Sequence, residues 1–366
     1  MSNLLFAAYA GKNLEPSNSI GAKWMRLLDG LELATAVKGK RTCIKMHLGG
    51  GMGFTTIHPF FTRKLVEKLR AAGAKSVFIT DSPGAVRDAV ERGYTPETVG
   101  CPLVPLSGQS DRYFEMRTVS PEFGEFREVE IGGEILAAEA LIDFSHVKGH
   151  GACGFGAASK NLSMGCVTQR SRRALHALEG GLDWNPKACT RCRKCVENCP
   201  NEAITLDEGN ESKLDVFYHN CKYCQHCVLI CPQKALTMMG GRYRDFQRGM
   251  ALTTKAVLEN FPIESCVFIN MLMNIAIFCD CWGMTTASLV PDIGILAGRD
   301  IVSIEQATLD LIRAENLIAG ALPPNWKLGH KGHLFERVHG KDPHAVVEFL
   351  AELGMGERRY TLQEIS

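Results

Sequence analysis

Two cysteine runs with the same spacing constrain the fold of this chain more than any other feature of its sequence. Each run reads C-x2-C-x2-C-x3-C and ends in a cysteine that is followed by proline, and the second run begins 32 residues after the first. The runs set a segment from about Trp184 to Gly240 apart from the rest of the chain. Together they contain Cys189, Cys192, Cys195, Cys199, Cys221, Cys224, Cys227 and Cys231.

This spacing is typical of bacterial proteins with two 4Fe-4S clusters, in which the fourth cysteine of each run ligates the other cluster. Zinc ribbons also use C-x2-C pairs, but each zinc takes four ligands from two such pairs, and these runs leave no sensible tetrahedral partition. Thiolate ligands without an obligatory histidine favour iron–sulfur clusters. The pattern assigns one cluster to Cys189, Cys192, Cys195 and Cys231, and the other to Cys199, Cys221, Cys224 and Cys227.

The composition excludes several other classes of protein. The 41 Lys and Arg residues balance 40 Asp and Glu residues, which argues against a nucleic-acid-binding protein. The N-terminal residues lack the basic and apolar regions of a signal peptide. The apolar stretch from Val267 to Phe278 is shorter than the roughly 20 residues that cross a bilayer. We therefore expect a cytoplasmic protein with no membrane span, whose cysteines serve metal binding or catalysis rather than disulfides.

The rest of the chain alternates short apolar runs with helical patterns, which predicts an α/β domain with a largely parallel sheet. Arg41 to Leu48 is a predicted strand, Pro59 to Ala72 a helix, and Lys75 to Thr80 a second strand. A right-handed crossover places both strand ends at one edge of the sheet, where such folds bind ligands. The glycine-rich Gly49 to Gly53 lacks both the phosphate-loop lysine and the dinucleotide fingerprint, so nucleotide binding is not supported.

The α/β pattern resumes after the cysteine-rich segment, so we predict that this segment is an insert. Residues 1–183 form the first part of the α/β domain, and residues 184–240 a small α+β module of the two-cluster ferredoxin type. Residues 241–366 form the second part of the domain, with a C-terminal helix from Pro343 to Leu353.

A second group of chemically capable residues follows the predicted strand from Ala140 to Phe144. It contains two histidines four residues apart and a glycine-rich loop that leads to a lysine, a pattern that suits metal, anion or covalent-cofactor chemistry. A structural glycine turn with capping histidines fits the pattern as well. The candidate residues here are His146, Lys148, His150, Lys160 and Asn161.

Cys279 and Cys281 form a further candidate ligand pair. A single C-x-C pair is a weak signal, since free cysteines are commonly buried as small hydrophobic residues.

Motifs along nearly the whole chain resemble one family, the uncharacterised Fe-S centre proteins, in which a domain of unknown function carries a ferredoxin insert. The resemblance implies a cytoplasmic iron–sulfur protein in which electrons pass between the clusters and something held by the α/β domain. Besides the two cysteine runs, the motifs are Lys45-Met46-His47-x-Gly49, Thr80-Asp81, His146-x-Lys148-Gly149-His150, Gly154-Phe155-Gly156, Lys160-Asn161-Leu162-x-Met164-Gly165-Cys166, Cys279-Asp280-Cys281 and Pro291-Asp292-Ile293-Gly294-Ile295-Leu296.

The run from His150 to Lys160, followed by His176, also looks like the nickel-pincer lactate racemase family. That likeness implies that His150 is an acid/base residue, that Lys160 bears a pyridinium cofactor and that His176 is a metal ligand. Ala157 replaces a glycine of that family's motif, and Asp81-Ser82-Pro83-Gly84 stands where the family has its other catalytic histidine. The likeness therefore supports a common site shape more than a common cofactor.

These patterns predict an iron–sulfur protein that is either an electron-transfer protein or an oxidoreductase. They do not decide whether it is an enzyme. Two 4Fe-4S clusters would exchange single electrons with a substrate or cofactor near His150, Lys160 and His176. An additional metal or organic cofactor in the α/β domain is compatible with the pattern, and the partner is a redox protein or a small molecule. Two alternatives stay open: a pure electron carrier whose α/β domain docks partners, and a biogenesis factor that uses Cys279 and Cys281 to transfer metal.

Overall fold

The structure, a computed structural model, describes residues 1–199, 202–207, 213–217, 220–221, 225–238, 243–324 and 326–365. In chain order the strands are β1 (Ser2–Ala8), β2 (Arg41–Lys45), β3 (Ser76–Asp81), β4 (Leu103–Pro105), β5 (Phe114–Phe123), β6 (Phe126–Gly132), β7 (Ala140–His146), β8 (Lys148–His150), β9 (Gly154–Gly156), β10 (Leu182–Trp184), β11 (Ile204–Leu206), β12 (Leu214–Val216), β13 (Leu236–Met238), β14 (Cys266–Leu272), β15 (Gly294–Gly298) and β16 (Tyr360–Glu364).

The helices alternate with these strands over most of the chain. They are α1 (Ile20–Gly30), α2 (Leu33–Val37), α3 (Pro59–Ala71), α4 (Pro83–Arg87), α5 (Pro96–Val99), α6 (Gly133–Leu136), α7 (Ala158–Gly165), α8 (Gln169–Ala177), α9 (Lys194–Glu197), α10 (His226–Ile230), α11 (Tyr243–Leu258), α12 (Ile301–Leu311), α13 (Leu334–His339) and α14 (His344–Glu352). Among the described residues, no helix is both long enough and apolar enough to cross a membrane.

An eight-stranded sheet forms the centre of the molecule, in the spatial order β16-β1-β15-β14-β7-β2-β3-β4. Most neighbouring strands are parallel, whereas β15 runs antiparallel to both β1 and β14. The predicted α/β class with a largely parallel sheet is confirmed. Parallel strands covered on both faces read as continuous apolar runs, and every residue of β7 is buried.

Successive side chains of a strand point to opposite faces of the sheet, and two hydrophobic layers result. Ile142 and Phe144 pack with α1, α2 and α3 on one face, where Trp24 stacks on Phe144 at a centroid distance of 5.5 Å. Leu141 packs with α7, α11 and α12 on the other face. In this second layer, α7 contains Lys160, and α11 is the helix that follows the insert.

The cysteine-rich segment, predicted as an insert over residues 184–240, lies in the chain between two paired strands of one sheet, since β7 precedes it and β14 follows it. The 32-residue repeat of the sequence recurs in the backbone. Arg193 and Gln225 both have positive φ, 59° and 63°, immediately before α9 and α10. Within the insert, β11 pairs with β12, and β10 at its start pairs with β13.

After the cysteine-rich segment, α11 covers Tyr243–Leu258. The apolar stretch to Phe278 is a strand only as far as Leu272, because Asn274 takes a positive φ of 52° and its amide donates to Asp292 at 2.7 Å. The chain therefore leaves the sheet here and carries the Cys279 turn to the sheet edge.

Candidate functional site

A cavity of about 380 Å³, here called the edge cavity, opens where the carboxyl ends of β2, β3 and β7 meet. This is the edge at which parallel α/β sheets bind ligands. The predicted residues Lys148, His150, Lys160, Asn161 and His176 all line it. The full lining is Lys45, His47, Asp81, Ser82, Lys148, His150, Gly156, Ala157, Lys160, Asn161, Met164, Gly165, Arg172, His176, Cys279 and Cys281.

Asp81, at the end of β3, organises one wall of the edge cavity. Its Oδ2 accepts hydrogen bonds from Nδ1 of His47 at 3.0 Å and from the amide of Leu48 at 2.9 Å, while Oδ1 lies 3.2 Å from Nζ of Lys45. Burial alone would raise the pKa of this carboxyl, but the Lys45 charge and the His47 hydrogen bond hold it well below its usual range. Asp81 is therefore an ionised carboxylate that fixes the ring of His47.

Asn161 connects α7 to the ends of β2 and β7. Its Oδ1 accepts from Nζ of Lys45 at 2.8 Å, and its Nδ2 donates to the carbonyl of Lys45 at 2.9 Å and to Asp143 at 3.2 Å. These contacts occupy the amide with protein partners. Asn161 thus positions Lys45 in the cavity wall.

Asp280, between the two cysteines of the C-x-C pair, is buried and lies against two predicted binding residues. Its Oδ2 is 2.9 Å from Nδ1 of His146 and 3.2 Å from Nζ of Lys148. The other ring nitrogen of His146 lies 2.9 Å from the carbonyl of Met273. His146 therefore stands behind the cavity wall and orients the C-x-C turn, while Lys148 reaches the cavity itself.

The three residues predicted to be catalytic lie on different elements of the cavity wall. Nζ of Lys160, on α7, is 3.5 Å from Sγ of Cys279. Burial lowers the pKa of this amine, but the neighbouring Cys279 and Cys281 sulfurs raise it above its usual value, so Lys160 is a cation. Nδ1 of His150 accepts from the amide of Ala152 at 3.2 Å.

His176 closes the side of the cavity next to the insert. Its Nδ1 is 2.5 Å from Oε1 of Glu179, and its ring stacks on Phe246 of α11 with a centroid distance of 5.0 Å. Because α8 leads into the insert and α11 leads out of it, His176 lies where the two parts of the protein join.

His47, Cys279 and Cys281 bring a ring nitrogen and two sulfurs within 4.8 Å of one another. Cys279 is buried and Cys281 is exposed. The hydrogen bond between the two thiols lowers the pKa of Cys279, with a further contribution from the Lys160 charge, and raises the pKa of Cys281. The site therefore offers one thiolate, a second sulfur and an imidazole to a ligand in the cavity.

The structure brings Cys189, Cys192, Cys195 and Cys231, the members of one predicted ligand set, around a single small cavity of the insert. Of the other set, Cys199, Cys221 and Cys227 are described, whereas Cys224 lies outside the described residues.

The backbone of the insert donates hydrogen bonds to its cysteine sulfurs at repeated positions. The amide of Ala203 lies 3.2 Å from Sγ of Cys199, and the amide of Ala235 lies 3.3 Å from Sγ of Cys231. Hydrogen bonds to cysteine sulfur are one of the means by which proteins set the potential of iron–sulfur clusters.

A buried lysine connects the insert to the wall of the edge cavity. Nζ of Lys341 donates to the carbonyl of Cys221 at 2.6 Å. The backbone of Lys341 also packs against Gly154, where an added Cβ would lie 2.9 Å from the Lys341 carbonyl. Gly154 pairs with His150 across β8 and β9. The insert is therefore connected to His150 of the cavity wall through Lys341 and Gly154.

Comparison with known proteins places the chain in a family. The family model described as a domain of unknown function (DUF362) matches residues 42–310. This range includes both the residues that line the edge cavity and the insert. The chain belongs to the DUF362 family. No curated protein matches it.

One solved structure similar to this DUF362 protein is that of the lactate racemase apoprotein from Thermoanaerobacterium thermosaccharolyticum. The two are 12% identical, with a TM-score of 0.38, over 75% of this chain and 51% of the other. The chain thus spans about half the length of that structure. A likeness at this level does not transfer a nickel-pincer cofactor or racemase chemistry to the DUF362 protein.

Several residues of the cavity were not predicted as site residues from the sequence. Lys45, His47 and Asp81 entered only as parts of motifs, and Arg172 had no signal. The sequence could have identified the first three residues by their positions, because they lie at or just after the ends of β2 and β3. A right-handed crossover between parallel strands brings those ends to one edge of the sheet.

Proposed function

We propose that this DUF362 protein is an iron–sulfur oxidoreductase. It passes single electrons between two 4Fe-4S clusters in the insert and a small anionic substrate or cofactor in the edge cavity. The observation that carries the proposal is the contact of Lys341 with Cys221. Through Gly154 and His150, it connects a segment that carries cluster-type cysteines to a cavity lined by reactive side chains.

The donor set of the insert fits the clusters. Cysteines on short loops, with backbone amides directed at three of the sulfurs, match the ligation of bacterial two-cluster proteins. When bound, the clusters supply one-electron oxidation and reduction. The residues that would hold them are Cys189, Cys192, Cys195 and Cys231 for one cluster, and Cys199, Cys221, Cys224 and Cys227 for the other.

The charge of the edge cavity indicates an anionic ligand. Among the described residues, four cationic side chains line it, those of Lys45, Lys148, Lys160 and Arg172. The acidic groups beside the three lysines are Asp81, Asp280 and Cys279, in that order, so Arg172 is the cation in excess. Cations that converge in a partly dehydrated site attract carboxylate or phosphate groups. Lys160 therefore orients the ligand, and the imidazoles of His150 and His176 supply ring nitrogens that exchange a proton with it.

The test uses anaerobically purified full-length protein. Its iron content should be about eight per chain for two 4Fe-4S clusters. The clusters are reduced with dithionite and then exposed to a panel of small carboxylates that carry a carbonyl group or a carbon–carbon double bond. Reoxidation by a member of the panel is expected in the wild type and in Lys75→Ala, which removes an exposed lysine elsewhere on the α/β domain.

In Lys160→Ala the reoxidation should slow by about 10- to 100-fold, as expected for the loss of one charged hydrogen bond of about 1.5–3 kcal/mol. The iron content and cluster potentials should not change. Equal rates in Lys160→Ala and wild type, or no acceptor in the panel, would support a pure electron carrier instead. An iron content near four would contradict the assignment of two clusters.

A further inference from the structure

We propose that His47, Cys279 and Cys281 form a binding site for a thiophilic divalent metal ion such as Zn²⁺, with a fourth coordination position open to the edge cavity. This site is separate from the cluster cysteines of the insert. It does not depend on the proposed electron transfer.

The three potential ligands already lie close to the required geometry. Tetrahedral Zn²⁺ holds sulfur at about 2.3 Å and nitrogen at about 2.0–2.1 Å, so that neighbouring ligand atoms are roughly 3.5–3.8 Å apart. The nitrogen and sulfur atoms here lie within 4.8 Å of one another. Side-chain movements of about an ångström would close the trio around an ion.

The imidazole of His47 is oriented as a metal ligand. Asp81 occupies Nδ1 at 3.0 Å, which leaves Nε2 for an ion. Nε2 is buried and has no nitrogen or oxygen partner within the described part of the chain. A carboxylate that accepts from one ring nitrogen while the other binds metal is a recurrent arrangement, because it fixes the tautomer and the direction of the ring.

The two cysteines are held by an anchored turn. Asp280 between them is buried against His146 and Lys148, and both sulfurs line the edge cavity. The glycine-rich loop that begins at Gly49 packs on the same turn. The amide of Met52 donates to the carbonyl of Gly283 at 2.7 Å, and an added Cβ at Gly51 would lie 2.8 Å from Cα of Gly283.

The glycine-rich loop matches no nucleotide-binding pattern, and its glycines are explained by packing. Its backbone must approach the C-x-C turn more closely than a side chain permits. The loop, the turn and the end of β2 together place the imidazole beside the two sulfurs.

The ligand set indicates an ion that takes part in binding or chemistry. Two cysteines and one histidine leave one tetrahedral position vacant, and zinc sites with three protein ligands bind water or substrate in the fourth. Cys281 is exposed, so this position is accessible from solvent. Lys160, 3.5 Å from Cys279, adds a cation beside it, so the open position would take an anionic oxygen or nitrogen ligand.

The experiment uses the full chain, purified anaerobically, with iron content as a measure of the insert. Zn²⁺ affinity is measured by competition with a chromogenic chelator, and Co²⁺ serves as the spectroscopic probe at wavelengths beyond the iron–sulfur absorption. The wild type should bind one Zn²⁺ per chain in addition to its iron. Co²⁺ should show the visible bands of tetrahedral thiolate coordination, and azide should shift them.

Four variants test the ligand assignment. His47→Ala and Cys281→Ser should each lower the Zn²⁺ affinity by more than about 100-fold. Asp81→Asn should lower it by about 10- to 100-fold, the usual effect of changing a group that orients a ligand. His330→Ala, at an exposed histidine outside the edge cavity, is the control and should retain the wild-type affinity. The iron content should be the same in all four variants.

Wild-type Zn²⁺ affinity in Cys281→Ser and His47→Ala would overturn the proposal. So would a comparable loss of Zn²⁺ binding in His330→Ala, or an anaerobic protein whose Cys279 and Cys281 are joined in a disulfide and bind no ion. Loss of iron in Cys281→Ser would instead place this cysteine among the cluster ligands. Co²⁺ bands that do not respond to azide would show a closed, structural site.

Discussion

Oδ2 of Asp280 lies 2.9 Å from Nδ1 of His146, although the two residues are 134 positions apart in the sequence. The pair is buried behind the wall of the edge cavity, and Nζ of Lys148 lies 3.2 Å from the same carboxylate oxygen. Burial raises the pKa of Asp280, but the neighbouring His146 and Lys148 charges lower it well below its usual value. This carboxylate connects the histidine–lysine motif after β7 with the C-x-C turn.

Replacing Asp280 by alanine should destabilise the protein by about 3–5 kcal/mol, because it leaves Lys148 buried without its counter-ion. Asp29→Ala, which breaks an exposed pair with Lys68, should change the stability by no more than about 1 kcal/mol. Anaerobic urea unfolding of both variants measures the difference. Similar losses in the two variants would show that the Asp280 pair adds nothing beyond a surface ion pair.

Glu305 should make stability depend on pH. It is buried, accepts hydrogen bonds from the amide of Ala158 at 2.8 Å and from Oγ of Ser159 at 2.6 Å, and thus caps α7, since Ala157 has no capping side chain. Burial raises the pKa of Glu305 to about 7, against about 4.3 in an unfolded chain. Between these two values the unfolded chain has lost the proton that the folded chain keeps.

The contribution of Glu305 to stability therefore falls as the pH rises from about 4.3 to about 7, by a few kcal/mol in total. Glu305→Gln removes this dependence, so the variant should gain stability relative to the wild type between pH 5 and pH 8. Urea unfolding at pH 5, 6, 7 and 8 gives the comparison. A stability difference that stays constant over this range would contradict the assigned pKa.

Lys341 should hold the insert against the cavity wall. Lys341→Met removes the donor to the Cys221 carbonyl, a charged hydrogen bond worth about 1.5–3 kcal/mol. The variant should release iron to a chelator roughly tenfold faster or more, under anaerobic conditions. Lys331→Met, at an exposed lysine of the same segment, should release iron at the wild-type rate, and equal rates in both variants would argue against docking through Lys341.

Gly149, between Lys148 and His150, should tolerate no side chain. An added Cβ would lie 2.1 Å from the carbonyl oxygen of Ile277 and 2.6 Å from Nε2 of His339. Gly149→Ala should therefore cost at least about 3 kcal/mol through backbone displacement. Gly84→Ala is the control, since nothing lies within 4 Å of its added Cβ in α4.

The Gly84→Ala variant should be as stable as the wild type or slightly more stable, because alanine favours a helix over glycine. Melting temperatures measured anaerobically give the order of the three proteins. A Gly149→Ala protein that melts at the same temperature as the wild type would show that β8 shifts without a cost in stability.

Local spacing predicted the elements that depend on local interactions. The helix expected from Pro59 is α3 (Pro59–Ala71), and the strand expected from Lys75 is β3 (Ser76–Asp81). Hydrophobic residues at helical spacing indicate a helix, and a short apolar run indicates a buried strand. Both patterns lie within a few neighbouring residues, so these elements can be found from the local sequence. The sequence indicated only weakly that Cys279 and Cys281 are ligands, because a C-x-C pair alone does not identify a metal site without a third ligand.

The sequence by itself determined the α/β class, because that class follows from spacing within a few tens of residues. The insert and the grouping of its cysteines into two ligand sets rest on spacing of the same kind and stay predictions. Only the tertiary structure decided that His47 lies beside Cys279, 232 positions away, and that Asp81 orients it. That meeting depends on the order of β2, β3, β7 and β14 in the sheet and on Asn274, where the chain leaves β14. Such an arrangement is set by packing over the whole domain, and no local pattern contains it.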